Sequence, residues 1–176
     1  GLYVFLDTNG GSVDAGNKIV NEIQKYNISC IAQKAISMGF VILQSCNKRY
    51  ITPSATLMQH QMSYGVANEK AKVESYVKYI KQVGKELTRM QAKKIGIKPK
   101  KFKQLTYNDW WLFGENAILK KCADEFANVK CDSQLTNETY NLEYGPYVFT
   151  FSKCPLVTGF IKKKINKQSG SPIIFI

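Results

Sequence analysis

Leu2-Tyr3-Val4-Phe5-Leu6 is an unbroken apolar run with the length and character of a strand buried on both faces. Asp7-Thr8-Asn9-Gly10-Gly11 ends it with turn-forming residues. Ser12 is placed to cap a helix in which Val13, Gly16, Ile19, Val20, Ile23 and Tyr26 recur at helical spacing. Residues 28–32 read as a second strand and residues 37–45 as a short buried helix. Two further strands, 49–51 and 56–58, flank a turn at Pro53. Alternating strand and helix predicts an α/β fold with a mostly parallel sheet.

Residues 68–94 contain no proline and carry a seven-residue ladder, Val73, Ile80 and Leu87, beside Tyr76, Val83 and Met90. The pattern predicts one long amphipathic helix, longer than a crossover covering a sheet requires. It is expected to project from the body and pack against another surface, such as a symmetry-related copy; the alternative is a helix folded back on its own core. A Lys-rich connector over 98–103 leads to a strand at 107–112 and a helix at 115–122. Beyond about residue 128 the character changes: Tyr140, Tyr144, Tyr147, Phe149 and Phe151 with Gly145-Pro146 predict a β-hairpin or edge strands. The chain therefore divides into a body, 1–127, and a β-rich extension, 128–176, with no internal repeat.

With 176 residues, 44% of them hydrophobic, the chain is large enough for one core. Its apolar runs, such as 40–43 and 173–176, fall far short of the ~20 residues that span a bilayer. The first residue is not Met and a core strand begins at once, which suggests a start inside a longer protein. The formal net charge of +12 reflects lysines scattered between apolar positions, without the aromatic interleaving of a nucleic-acid motif. A solvated face is the expectation, and no nucleic-acid partner.

Cys30, Cys46, Cys122, Cys131 and Cys154 show no C-x-x-C spacing, and a single histidine argues against a zinc site, so no metal and no cofactor are expected. An odd count in a chain able to build an ordinary core fits reduced, buried thiols better than a disulfide framework, with Cys30–Cys46 or Cys131–Cys154 bridges as the alternative. Asn27-Ile-Ser29 and Asn137-Glu-Thr139 match the glycosylation sequon, a pattern common by chance. Compartment stays open on the residues, with a cytoplasmic setting as the default expectation.

Hydrolysis by a serine needs a base within hydrogen-bond reach, a carboxylate behind the base, and amide donors for the oxyanion. Ser37 begins a predicted helix, so the Met38 amide stands at a helix N-terminus, and Gly10-Gly11 sits in the loop after the first strand. His60 is the one histidine, at the end of a strand beside Gln59 and Gln61. Taken singly, His60 and Asp109 are unremarkable.

Their joint order carries more. Asn9-Gly10-Gly11-Ser12-Val13-Asp14-Ala15-Gly16 resembles the N-S-P-G-G-x-x-x-x-G signature of ClpP, and Ala32-Gln33-Lys34-Ala35-Ile36-Ser37-Met38-Gly39 resembles its G-Q-A-A-S-M-G segment. Residues 50–61, which hold Pro53 and end Leu57-Met58-Gln59-His60-Gln61, are similar to R-x-x-x-P-N-x-x-x-M-I-H-Q. Asp109-Trp110-Trp111-Leu112-Phe113-Gly114-Glu115-Asn116-Ala117 is similar to D-x-F-L-S-A-x-E-A, and Cys122-Ala123-Asp124 falls where G-L-V-D follows. Four segments in order make a stronger signal than any one.

The resemblance implies a crotonase-like ClpP fold, mostly parallel sheet with flanking helices and the long helix as a projecting handle. It implies a serine endopeptidase with Ser37 as nucleophile, His60 as general base, Asp109 orienting the base, and the Gly11 and Met38 amides as oxyanion hole. Peptide or unfolded-protein substrates, a homo-oligomer built through the handle and an ATP-dependent unfoldase partner follow from it. Asn9 stands where the family has proline, Met62 where a proline follows His-Gln, and the family's first strands and helix have no counterpart. Two other readings are a catalytically inactive ClpP-like scaffold or assembly subunit, and a Ser-Lys dyad using Lys34.

Overall fold

In the computed structural model residues 2–165 are described; residue 1 and residues 166–176, with the apolar run 173–176, lie outside the described residues. Two units divide the chain, Gly1–Asn128 and Val129–Ile176.

The first unit alternates as the sequence predicts: β1 (Tyr3–Thr8), α1 (Val13–Lys25), β2 (Ser29–Ile36), α2 (Met38–Ser45), β3 (Arg49–Gln59), α3 (Lys70–Ile95), α4 (Pro99–Leu105), β4 (Trp110–Phe113), α5 (Glu115–Leu119) and β5 (Glu125–Phe126). Strand order is β1-β2-β3-β4, with β5 also on β3. Every pairing is parallel except β3 with β4. The mixed α/β architecture with a mainly parallel sheet agrees with the sequence reading.

Ser12 caps α1, its Oγ accepting from Ala15 N at 3.4 Å, and the helix buries Gly16, Val20 and Ile23. Helix α2 is buried from Met38 to Gln44, so it runs through the core rather than along it. Phe40, Leu43, Ile51 and Leu57 are fully buried around it, each side chain stabilising the fold by about 1.5–3 kcal/mol relative to exposure. A Cβ at Gly16 would run into the Met38 side chain, so glycine here lets α1 lie against the first turn of α2 with Met38 in its present position.

Three expectations need correction. Residues 49–51 and 56–58 are not separate strands but parts of β3, which continues through Pro53. On β2, Ala32 pairs with Ile51 and Lys34 with Thr56, so residues 52–55 bulge opposite Gln33, where a proline needs no ladder hydrogen bond. The Lys-rich connector is helix α4, with Pro99 in its first turn and Phe102 buried. Nor are the cysteines all reduced: Cys30–Cys46 and Cys131–Cys154 are disulfides, with Cα atoms 5.8 and 5.7 Å apart. Cys122 remains a buried thiol, and burial pushes its pKa up to about 12.

Arg49, at the start of β3, is buried and satisfied on all sides. Its Nε and backbone N–H donate to Asp124 Oδ2 at 3.2 and 2.8 Å, and Nη1 donates to Gln44 Oε1 at 2.6 Å and Lys121 O at 2.9 Å. Burial opposes the charge on Asp124, but the Arg49 hydrogen bonds and guanidinium outweigh it and hold the carboxyl below its ordinary range. Only the C-terminal end of α3 is buried, at Gln91, Ala92 and Ile95. Among the described residues no helix is long and apolar enough to cross a membrane.

The second unit holds α6 (Ser133–Asn137) and a sheet of β6 (Thr139–Tyr144), β7 (Tyr147–Ser152) and β8 (Lys162–Ile165). The expected hairpin is β6–β7, turning at Gly145, whose φ of 56° suits glycine. Tyr140 stacks on Phe151 at 5.5 Å between centroids. So small a sheet buries little, and the Cys131–Cys154 bridge supplies what its core does not.

Candidate active site

Ser37 lies between the end of β2 and the start of α2, with φ 57° and ψ −117°, a conformation that few residues other than glycine adopt. It is held there from two sides. Ser37 N donates to Met58 O at 2.9 Å, and the Ser37 carbonyl accepts from Phe40 N at 3.0 Å and Val41 N at 3.3 Å. The turn after β1 comes so near that a Cβ on Gly10 would lie 2.6 Å from Ile36 O and 2.9 Å from both Met38 N and Ser37 Cβ. Glycine at position 10, with φ 92°, is therefore a steric requirement of this corner.

His60 follows the last residue of β3, and its Nε2 is 2.8 Å from Ser37 Oγ. Parallel pairing of β2 with β3 joins two residues 23 apart in sequence, because both strands end at the same edge of the sheet. Behind the histidine, Gln59 Oε1 accepts from His60 N at 3.0 Å, and Gln59 Nε2 donates to Gln91 Oε1. Gln91 Nε2 in turn donates to Leu87 O at 2.9 Å. Both glutamines are buried, so a polar chain crosses the interior from α3 to the backbone of His60.

Asp109 directly precedes β4. The antiparallel register pairs Gln59 with Trp110, and one further step would set His60 opposite Asp109, but the ladder stops short of that pair. Asp109 is exposed, and among the described residues no hydrogen bond joins it to His60. Met38 N heads α2, where the first amides lack intrahelical acceptors and the dipole favours negative charge. Gly11 N carries no hydrogen bond among the described residues, and the space around a Cβ at this position is open. Lys34 lies elsewhere, 3.5 Å from Asp7 in a partly exposed ion pair. Among the described residues no three His, Cys, Asp or Glu side chains gather to hold a metal ion.

A cavity of about 410 Å³ adjoins Ser37 and His60, walled by α3 and α4. The sequence reading did not foresee this wall. Its only trace there is a glutamine on each side, Gln59 in an apolar strand end and Gln91 between Met90 and Ala92.

The Clp protease family model matches residues 1–128. An ATP-dependent Clp protease proteolytic subunit 2 from Pseudomonas aeruginosa is 29% identical over 122 residues, which are 66% of this chain and 61% of that protein. Proteins of the same name from Borreliella burgdorferi and Tropheryma whipplei are each 27% identical, over 144 and 122 residues, covering 76% and 66% of this chain and 69% and 68% of theirs. The chain thus spans about three fifths of the length of the first of these relatives. Because the family's pattern extends over the entire first unit, the chain belongs to the Clp protease family.

Proposed function

We propose that the chain is a serine endopeptidase in which Ser37 is the nucleophile, His60 the general base and Asp109 the residue that orients the base. The observation that carries this reading is the 2.8 Å contact of His60 Nε2 with Ser37 Oγ, made by a serine held at positive φ beside a helix N-terminus. His60 Nε2 takes the hydroxyl proton as Oγ attacks a peptide carbonyl. The carbonyl oxygen gains the negative charge and receives the Met38 and Gly11 amide N–H groups. His60 then gives its proton to the departing amine, and water cleaves the acyl-enzyme by the same route. General-base and oxyanion contributions of this kind are each worth about 10²–10⁴-fold in rate.

One further pair of the β3–β4 register would set Asp109 opposite His60, which supports the orienting role, while its carboxylate is exposed and makes no hydrogen bond to the imidazole among the described residues. The same exposed position favours a second reading, a ClpP-like assembly subunit without activity. A fluorophosphonate separates the two. The peptidase labels at Ser37 and loses labelling and peptide hydrolysis in Ser37→Ala; a chain that neither labels nor hydrolyses is the inactive subunit.

A crotonase-like fold with α3 as a handle through which copies associate is part of the same proposal, and it is supported by α3 burying only Gln91, Ala92 and Ile95 at its C-terminal end. The relatives' names describe proteolytic subunits of an ATP-dependent protease, so unfolded protein delivered by an ATP-driven unfoldase is the substrate and partner that fit.

A further inference from the structure

The cavity beside Ser37 is apolar at its base and cationic at its mouth. Val41, one helical turn beyond Ser37, joins Phe102 and half-buried Leu87 to form a surface suited to the methylene stem of a side chain. The two buried glutamines line the same cavity. The oxygen of each carboxamide already holds a donor: Gln59 Oε1 takes His60 N, and Gln91 Oε1 takes Gln59 Nε2. Each Nε2 carries two hydrogens and uses one within the protein, Gln59 on Gln91 and Gln91 on Leu87 O. Each carboxamide thus keeps one N–H donor for a ligand, beside one remaining lone pair on its oxygen.

The mouth continues the theme. Lys81 and Lys85, one turn apart on the cavity face of α3, and Lys103 on α4 all line the opening. No Asp or Glu lines it, and among the described residues none of the three lysines enters a salt bridge. Apolar floor, amide donors and unpaired ammonium groups together make a receptor for a short chain that ends in an anion.

Resting on the peptidase reading, we propose that this cavity selects substrates with an acidic residue, glutamate above all, at the position that supplies the scissile carbonyl. The stem of the side chain would lie on Val41, Leu87 and Phe102, with its carboxylate among the free N–H groups of Gln59 and Gln91 and the lysine ammonium groups.

Fluorogenic peptides differing only at that position, as Glu, Gln, Leu or Lys, test this on the full chain, with fluorophosphonate labelling of the same preparation run in parallel. The Glu peptide is expected to exceed the Leu peptide in kcat/KM by about tenfold, with the margin shrinking as salt screens the exposed lysines. Lys85→Glu should reverse the order of the Glu and Lys peptides, and Lys81→Glu should do the same if the first variant folds poorly; the ratio within one preparation is insensitive to the folded fraction. Labelling at Ser37 with Leu cleaved as fast as Glu, or a Glu preference indifferent to salt and to both charge reversals, overturns the acidic specificity and leaves the peptidase intact. No labelling and no cleavage of any peptide overturns both.

Discussion

Gln59 and Gln91 offer a test of how the base is held. Both side chains are buried and each depends on the other, so removing one leaves a polar group without its protein partner. Gln91→Leu strands Gln59 Nε2, and a buried group left unsatisfied costs about 1–3 kcal/mol. Gln59→Leu strands Gln91 Oε1 and also His60 N, which loses its acceptor, so its cost belongs at the upper end of that range. The double variant Gln59→Leu/Gln91→Leu strands His60 N but no longer either carboxamide. It should therefore be more stable than the sum of the single losses predicts, by a coupling of about 1–2 kcal/mol. Urea denaturation of the four proteins, read at the midpoint with slopes compared, measures this coupling. Additivity within about 0.5 kcal/mol would mean that the two glutamines do not share a bond in solution.

Other outcomes follow from the same geometry. Gly10→Ala pushes a methyl group onto Ile36 O, Met38 N and Ser37 Cβ, so fluorophosphonate labelling of Ser37 should slow by about 100-fold, as reaction geometry misplaced by an ångström does; unchanged labelling would refute the tight corner. Asp124→Asn leaves the buried Arg49 guanidinium uncompensated and should cost about 3 kcal/mol by denaturant titration. Because the Asp124 pKa is depressed in the fold, its contribution is present above the ordinary carboxylate pKa and is lost as pH falls through the lower folded value; an acid-unfolding curve of the wild type should show a loss that Asp124→Asn lacks. Cys122 should resist alkylation at pH 8 in the folded protein and become the single modified cysteine when the chain is unfolded without reductant, as mass spectrometry would count.

Much of the fold was legible because local pattern and global structure agree. The apolar run at Tyr3, the cap at Ser12 and the heptad ladder through Ile80 each specify an element without reference to anything distant. What stayed hidden depends on partners. Whether Pro53 breaks β3 is decided on β2, where one residue faces four. Helix α4 is seven residues long and buries a single side chain, too little for a period to register. Gln59 and Gln91 read as ordinary polar positions because their hydrogen bond spans 32 residues. The disulfide pairs depend on Cα separations that only the finished fold creates. At the site, motif order named Ser37 and His60, which the sheet brings together; Asp109 stands one step beyond the β3–β4 ladder, and no motif encodes where that ladder ends.

The Cys30–Cys46 bridge has a consequence for endurance. It ties the first half of β2 to the residue after α2, so the serine hydroxyl sits on a covalent ring of seventeen residues. Whatever strands fray or re-form elsewhere during heating, this ring retains its connectivity, and an unfolded chain returning to shape has far fewer ways to misplace it. The corner most demanding of backbone conformation is thus also the one whose wandering is most restricted, and thiol reagents strong enough to open a fully enclosed sulfur pair would be felt first where the hydroxyl stands.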